Sequence, residues 1–238
     1  MKSFNDIIYQ DLQEGLYDPN IFKAFFLAGG PGSGKTFVTG NAFGGTGLRM
    51  INSDNAFESA LKKNNLSLKM PENEAEARDI VRARAKATTG NILDLSIKGR
   101  LGMIIDGTGR DYDKLSKQKA MLDQLGYDSY MIFVNTSLEV ALERNGNRPR
   151  SLPEYIVSKS WNGVQSNIGK FQNLFGMGNM IIVDNNKSDK ELTTVIMNKV
   201  GKSVRRLLTN KIKSYTAKRW MATERKLRRR WKHLKNQS

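Results

Sequence analysis

The 238-residue chain contains no cysteine. That excludes disulfides, thiolate metal sites and a cysteine nucleophile, and it suits a reducing cytosol. Histidine occurs once, as His233, inside a basic tail, where it reads as a solvated residue rather than a catalyst. No apolar run is long enough to span a bilayer. The opening residues, Met1-Lys2-Ser3-Phe4-Asn5-Asp6, lack the apolar core of a signal peptide, so the expected location is cytoplasmic. Acidic residues are scarce at one end. From Lys199 to Ser238 there is one, Glu224, against fifteen Lys or Arg, so this stretch holds +14 of the formal net charge of +16. The rest of the chain is close to neutral. Its length suits one α/β domain plus an appendage, and a hydrophobic content of 39% supports a real core.

What is present is organised around Gly29-Gly30-Pro31-Gly32-Ser33-Gly34-Lys35-Thr36, which fits G-x-x-x-x-G-K-[ST] at every fixed position. Lys23 to Ala28 reads as a buried strand running into it, and Thr36-Phe37-Val38-Thr39 as the first turn of a helix. In that setting the glycines turn backbone N–H groups inward to cradle phosphate oxygens, with the helix N-terminus adding positive potential. Gly30, Pro31, Gly32, Ser33, Gly34, Lys35 and Thr36 form the expected ATP cradle. Lys35 reaches the β- and γ-phosphates, and the Thr36 hydroxyl binds Mg²⁺. The alternative is a Gly-rich turn after a core strand, which would need neither Lys35 nor Thr36.

Residues 3–14 carry Phe4, Ile7, Ile8 and Leu12 on one helical face. Further strands are expected over 48–52, 101–106, 130–134 and 180–184. Helices are expected over 74–97 (with Gly90 a weak point), over 115–125, from the N-cap Ser137 onward, over 153–175 (weakened at Gly163 and Gly169), and from about Lys190. In the last, Leu192, Val195, Ile196, Val200, Val204, Leu207 and Leu208 repeat at helical spacing. Strands alternating with helices imply a mainly parallel five-stranded sheet covered on both faces, an α/β three-layer sandwich of the P-loop NTPase class with a basic C-terminal helical extension. The expected division is an N-terminal helix over 1–20, a P-loop kinase domain over 21–208 and a basic helical tail over 209–238.

Ligands of open parallel sheets sit beyond the carboxyl ends of strands. Asp54, after the second strand, is placed to accept the proton of an attacking hydroxyl, or it N-caps the helix that follows. Asp106 ends an apolar strand in the Walker B manner and faces Mg²⁺, or it is a structural turn residue. Arg144, Arg148 and Arg150 lie on a helix–loop able to close over a triphosphate, or they are a solvated loop. Arg110 binds an acceptor phosphate or forms a salt bridge. A base plus mobile arginines is enough for phosphoryl transfer, which depends on positioning and charge neutralisation.

Gly30 to Thr36, Asn52-Ser53-Asp54, Ile105-Asp106-Gly107-Thr108-Gly109-Arg110 and the arginines at 144–150 together resemble the zeta-toxin-like kinases, within the polynucleotide-kinase-like group of P-loop phosphotransferases. The resemblance covers roughly residues 20–185. It implies that Lys35 and Thr36 bind ATP and Mg²⁺, that Asp54 is the general base, that Asp106, Thr108 and Arg110 hold the acceptor, and that Arg144 and Arg148 are lid arginines. The toxins carry Glu where Asp106 stands. Asp is one methylene shorter, which leaves the toxin substrate, UDP-N-acetylglucosamine, as the alternative acceptor. The basic tail lies outside the family pattern.

That tail interleaves Tyr215, Trp220 and Trp231 among its basic residues, and Trp220, Leu227, Trp231 and Leu234 make one helical stripe. Such a surface suits a DNA or RNA phosphate backbone or an anionic membrane, or the stripe docks on the body and leaves a solvated helix. The expected activity is therefore an ATP-dependent kinase of a hydroxyl acceptor, with a nucleic acid or nucleotide as one expected carrier of that hydroxyl. The other classes are a sugar-nucleotide kinase, a nucleic-acid-driven NTPase and a protein using ATP as a structural ligand.

Overall fold

The computed structural model describes residues 15–69, 71–148, 151–186 and 190–235. The helix expected over 3–14, Arg150, and the side chains of Trp231 and Leu234 lie outside the described residues. Five strands, β1 (Lys23–Ala28), β2 (Arg49–Ile51), β3 (Met103–Asp106), β4 (Asp128–Asn135) and β5 (Met180–Asp184), form one sheet in the order β2-β3-β1-β4-β5. Every pairing is parallel. The helices are α1 (Lys35–Phe43), α2 (Ser53–Lys63), α3 (Ala75–Lys98), α4 (Tyr112–Gln124), α5 (Leu138–Gly146), α6 (Glu154–Gln165), α7 (Ile168–Phe175), α8 (Lys190–Thr209) and α9 (Tyr215–Lys235).

β1 lies at the centre and is buried along its whole length, which is why it reads as an unbroken apolar run rather than an alternating one. Phe25 and Leu27 point to one face and pack with Val38, Ala42 and Phe43 of α1 and Met197, Val200, Val204 and Leu207 of α8. Ala24, Phe26 and Ala28 point to the other, against Leu115 and Leu122 of α4, Val164 of α6, and Phe171 and Phe175 of α7. Helices therefore cover both faces, as the strand–helix alternation predicts. A small third cluster joins α2 and α3 through Phe57, Leu61, Val81 and Ala85, with the Arg82 guanidinium 4.5 Å from the Phe57 ring centroid.

Three local expectations are corrected. The helix expected over 153–175 is two, α6 and α7, and they part at Ser166-Asn167 rather than at a glycine. Asn167 turns its amide into the body and donates to the carbonyls of Gly109 and Arg110, each at 3.0 Å. Gly163 instead permits close packing, since a Cβ there would lie 2.7 Å from Arg110 Cγ. α3 runs through Gly90 without a break. Val195, counted in the apolar repeat of α8, is exposed, and Met197 is buried in the face instead.

The tail is also different from a free helix. Ala217, Trp220, Met221, Glu224 and Arg228 are its less exposed residues, and they form the stripe that meets the body. The Trp220 ring lies edge-on to Phe22, with centroids 5.5 Å apart. Leu227, expected on the same stripe, is half exposed. Ahead of α9, the Asn210 carbonyl accepts from Lys23 Nζ at 2.7 Å, and Lys23 also pairs with Asp128 at 2.6 Å. No described helix is long and apolar enough to cross a membrane.

Lys23 is nearly fully buried, so it depends on both acceptors. Removing one partner of a buried pair leaves an uncompensated charge, whereas replacing both by apolar groups is close to neutral. Asp128→Ala is expected to cost about 3 kcal/mol in urea unfolding. The double variant Lys23→Met/Asp128→Leu should recover most of that loss, and no recovery would mean the charge is not what the site must satisfy.

Candidate active site

The chain order reverses direction at β1, so the crevice of the sheet opens beyond the carboxyl ends of β1, β3 and β4. The Gly29–Thr36 loop leaves β1 into that crevice. It is tied at its start to the turn after β3: Gly29 N–H donates to the Thr108 carbonyl at 2.9 Å, and Gly107 N–H donates to that of Leu27 at 3.3 Å. Two glycines have no alternative. Gly32 has φ 78°, and a Cβ there would lie 2.2 Å from the Ala141 carbonyl oxygen. Gly34 has φ 86°, and a Cβ there would lie 2.3 Å from Asn185 Nδ2. α1 starts at Lys35 with no side-chain cap. Its first-turn N–H groups have no intrahelical acceptor and are available to an anion.

Lys35 Nζ donates to the Gly29 carbonyl at 2.5 Å and lies 3.4 Å from that of Gly30. Burial pulls its pKa below the ordinary lysine value. The charges of Asp106 and Asp54 oppose that, and Arg148 adds to it. Asp106 is shifted the other way, upward, chiefly by burial; Lys35 opposes the shift and Asp54 reinforces it. Four charges from four segments therefore feel one another at the bottom of the crevice.

Asp106 is oriented by Asn52, whose Nδ2 donates to Asp106 Oδ2 at 2.5 Å. Asp106 Oδ1 is buried and has no partner among the described residues. The same Asn52 caps α2, its Oδ1 accepting from the N–H groups of Asp54 (2.8 Å) and Asn55 (3.1 Å). The cap of α2 is thus Asn52, and the Asp54 carboxylate is not engaged in capping.

Above the loop, Asn185 follows β5 and is buried. Its Nδ2 donates to the Ser33 carbonyl at 2.8 Å, and its own carbonyl accepts from Arg144 Nη1 at 2.8 Å. Asn145, buried on α5, bonds Leu152 both ways: Nδ2 to its carbonyl at 2.7 Å, and Oδ1 from its N–H at 3.0 Å. That pair closes the basic loop at its base. Trp161 of α6 lies over Gly30, and its indole N–H donates to the Thr136 carbonyl at 2.8 Å.

These segments enclose a cleft of about 500 Å³. Gly30, Pro31, Gly32, Gly34, Lys35 and Thr36 form one wall, with Arg144 and Arg148 beside it. Asp54, Asn55, Glu58, Leu68, Asp106 and Thr108 line the same cleft. Two expected site residues stand elsewhere. Ser33 is buried behind the loop with its hydroxyl unpartnered, so only its backbone is part of the cradle. Arg110 does not line the cleft; it is exposed, with its stem against Gly163. Asn52, Asn145, Trp161 and Asn185 were not singled out as site residues from sequence. Asn185 stands just past a strand's carboxyl end, the one signal that pointed to it.

The pattern of the zeta toxin family matches residues 18–194. The chain belongs to the zeta toxin family. No curated protein matches this chain significantly. Among solved structures, a protein described as a kinase from Chloroflexus aurantiacus J-10-fl shares 16% identity, with 78% of this chain and 98% of that one covered, at TM-score 0.54. The AvrRxo1-ORF1:-ORF2 complex with ATP shares 13% identity, with 90% and 86% covered, at TM-score 0.54. At these identities the likeness concerns the fold alone, a five-stranded parallel P-loop kinase fold.

The buried Asp106 gives a pH test. Its raised pKa means the native chain keeps a proton that the unfolded chain releases. Its contribution to stability is full below the ordinary carboxylate value and is lost as pH rises through the raised value. Asp106→Asn should therefore raise the Tm of the nucleotide-free protein at neutral pH and flatten its dependence on pH above the ordinary carboxylate value. Scanning fluorimetry reads this; a lower Tm for the variant at neutral pH would show that the carboxylate is needed to hold Lys35.

Proposed function

We propose that this zeta toxin family member is an ATP-dependent kinase that transfers the γ-phosphoryl group to a hydroxyl acceptor. The observation that supports this most directly is the placing of Lys35 and the two acids Asp106 and Asp54 around one end of the loop cradle, in one cleft. A neighbour of the same fold binds ATP, which agrees with this reading.

ATP is the phosphoryl donor, its phosphates against the amides of residues 30–36 with the adjoining end of α1 supplying positive potential. Lys35 leaves the Gly29 carbonyl for the β- and γ-phosphate oxygens. Thr36 and Asp106 would hold Mg²⁺. The unpartnered Asp106 Oδ1 fits that role. Among the described residues no cluster of three or more His, Cys, Asp or Glu is built to hold a metal. A magnesium ion carried on phosphate oxygens plus one carboxylate needs none, and it supplies charge neutralisation. Asp54 accepts the proton from the acceptor hydroxyl as its oxygen bonds to the γ-phosphorus, and the bond to the β-phosphate oxygen breaks to release ADP. Arg144 and Arg148 neutralise the charge spread over the transferring group.

Thr108, beside Asp106, faces the acceptor. We assign the acceptor to the part of the cleft lined by Asn55, Glu58 and Leu68. There Asp54 and Glu58 are the charged lining residues among those described, which favours a neutral or cationic hydroxyl compound over one rich in phosphate. Family membership favours a second reading, phosphorylation of a sugar nucleotide such as UDP-N-acetylglucosamine.

Transfer of label from γ-labelled ATP across a panel of polyols, amino sugars, sugar nucleotides and 5′-hydroxyl oligonucleotides tests this. Label in any hydroxyl compound supports a kinase, and release of free phosphate alone opposes it. Asp54→Ala is expected to lower kcat by roughly 10²- to 10⁴-fold while ATP affinity stays nearly unchanged. An equal loss of nucleotide binding would make Asp54 a structural residue.

A further inference from the structure

We infer that α9 is a docking surface for the phosphate backbone of a nucleic acid, and that it is a tether set apart from the kinase cleft. The first observation is its position. α9 is anchored on Phe22, just before β1, through Trp220. The Arg100 guanidinium, ahead of β3, lies 5.9 Å from the Trp220 ring centroid. Gly126, ahead of β4, comes so close that a Cβ there would lie 2.8 Å from Ala217 N. All three contacts are at the amino ends of the strands. The cleft is at their carboxyl ends. β1 has six residues, so the two surfaces are about 20 Å apart across the sheet.

The second observation is which face is left over. Ala217, Trp220 and Met221 are turned to the body, and the one acid, Glu224, lies on the same side. Lys218, Arg219, Arg225, Lys226, Arg229 and Arg230 are all exposed on the opposite side. None of these six pairs with a carboxylate among the described residues. They recur along about 18 Å of helix, with Lys211 and Lys213 exposed just before it.

Those facts select the partner. An amphipathic helix binds a bilayer by burying its apolar face, and here that face is spent on the protein's own core. Among the described side chains of α9, Leu227 is the one large aliphatic residue left exposed, which by itself is too little to enter a membrane. What remains is a dense row of like charge with no acid on its side. A phosphate backbone, with its evenly repeated charge, is attracted to such a row through counterion release and without base reading. The row lies far from Asp54, so a strand held there is a tether and not the group being phosphorylated.

The experiment uses the full chain and a fluorescein-labelled mixed-sequence 20-nucleotide DNA, read by anisotropy. Affinity should fall on the order of 10²-fold or more between about 50 and 200 mM salt. The variant Arg225→Gln/Lys226→Gln/Arg229→Gln/Arg230→Gln, altered only at exposed positions, should lose at least about tenfold in affinity at low salt. Its Tm and its ATP binding should stay as in the parent chain. Three results would overturn the inference: no salt-dependent DNA binding, undiminished binding by the variant, or equal or tighter binding to phosphatidylserine vesicles or polyglutamate. Because the readout is binding, the outcome does not depend on whether the cleft proves to be a kinase site.

Discussion

A lysine and an aspartate lie half-buried at the carboxyl ends of the central strands, and neither is at rest there. Lys35 is held by carbonyls of its own loop, while burial works against its charge. Asp106 keeps one oxygen on Asn52, and the other has no partner among the described residues. Charged groups in low dielectric need partners, and sites that keep them short of partners are those where a ligand completes the set. In the proposed reaction, phosphate oxygens would take Lys35 away from Gly29, and Asp106 would help to hold Mg²⁺, which would supply charge neutralisation. The rest of the architecture serves to keep this arrangement from collapsing into a salt bridge or filling with side chains.

The supports come from far apart in sequence. The turn after β3 bonds to the start of the loop, Asn185 after β5 bonds to its middle, and Ala141 on α5 presses against Gly32. Because the same Asn185 holds Arg144, the loop and Arg144 share one anchor. Asn52 joins α2 to Asp106 in the same way, capping the helix with one atom and orienting the carboxylate with another. Each asparagine offers a donor and an acceptor without adding charge, which suits a position beside a buried ion.

Much of this was legible in the sequence because it is local. The strand–loop–helix around Lys35, the strand ending in Asp106 and the cap at Ser137 are each set by a few neighbouring residues. β5 was placed at its observed bounds because an apolar run ends abruptly at Asp184. What escaped was non-local. Asn185 and Asn52 look like ordinary loop residues until the sheet brings them to Ser33 and Asp106. The parting of α6 and α7 follows from Asn167 reaching the turn at Gly109, which no spacing reveals. The tail shows the same limit: helical periodicity found a Trp-bearing stripe, but only the fold shows that Trp220 is held by Phe22 at the end of the sheet away from the cleft.

The central claim is that the loop around Gly32 keeps a shape made for a triphosphate. Titration calorimetry of ATP with Mg²⁺ against the parent chain and Gly32→Ala tests it most directly, since the added Cβ would lie 2.2 Å from the Ala141 carbonyl oxygen. The account predicts clear one-to-one binding by the parent and loss of that binding in the variant under conditions where the variant, its urea midpoint lowered by the strained Cβ, is still folded. Binding of equal strength by both would contradict it.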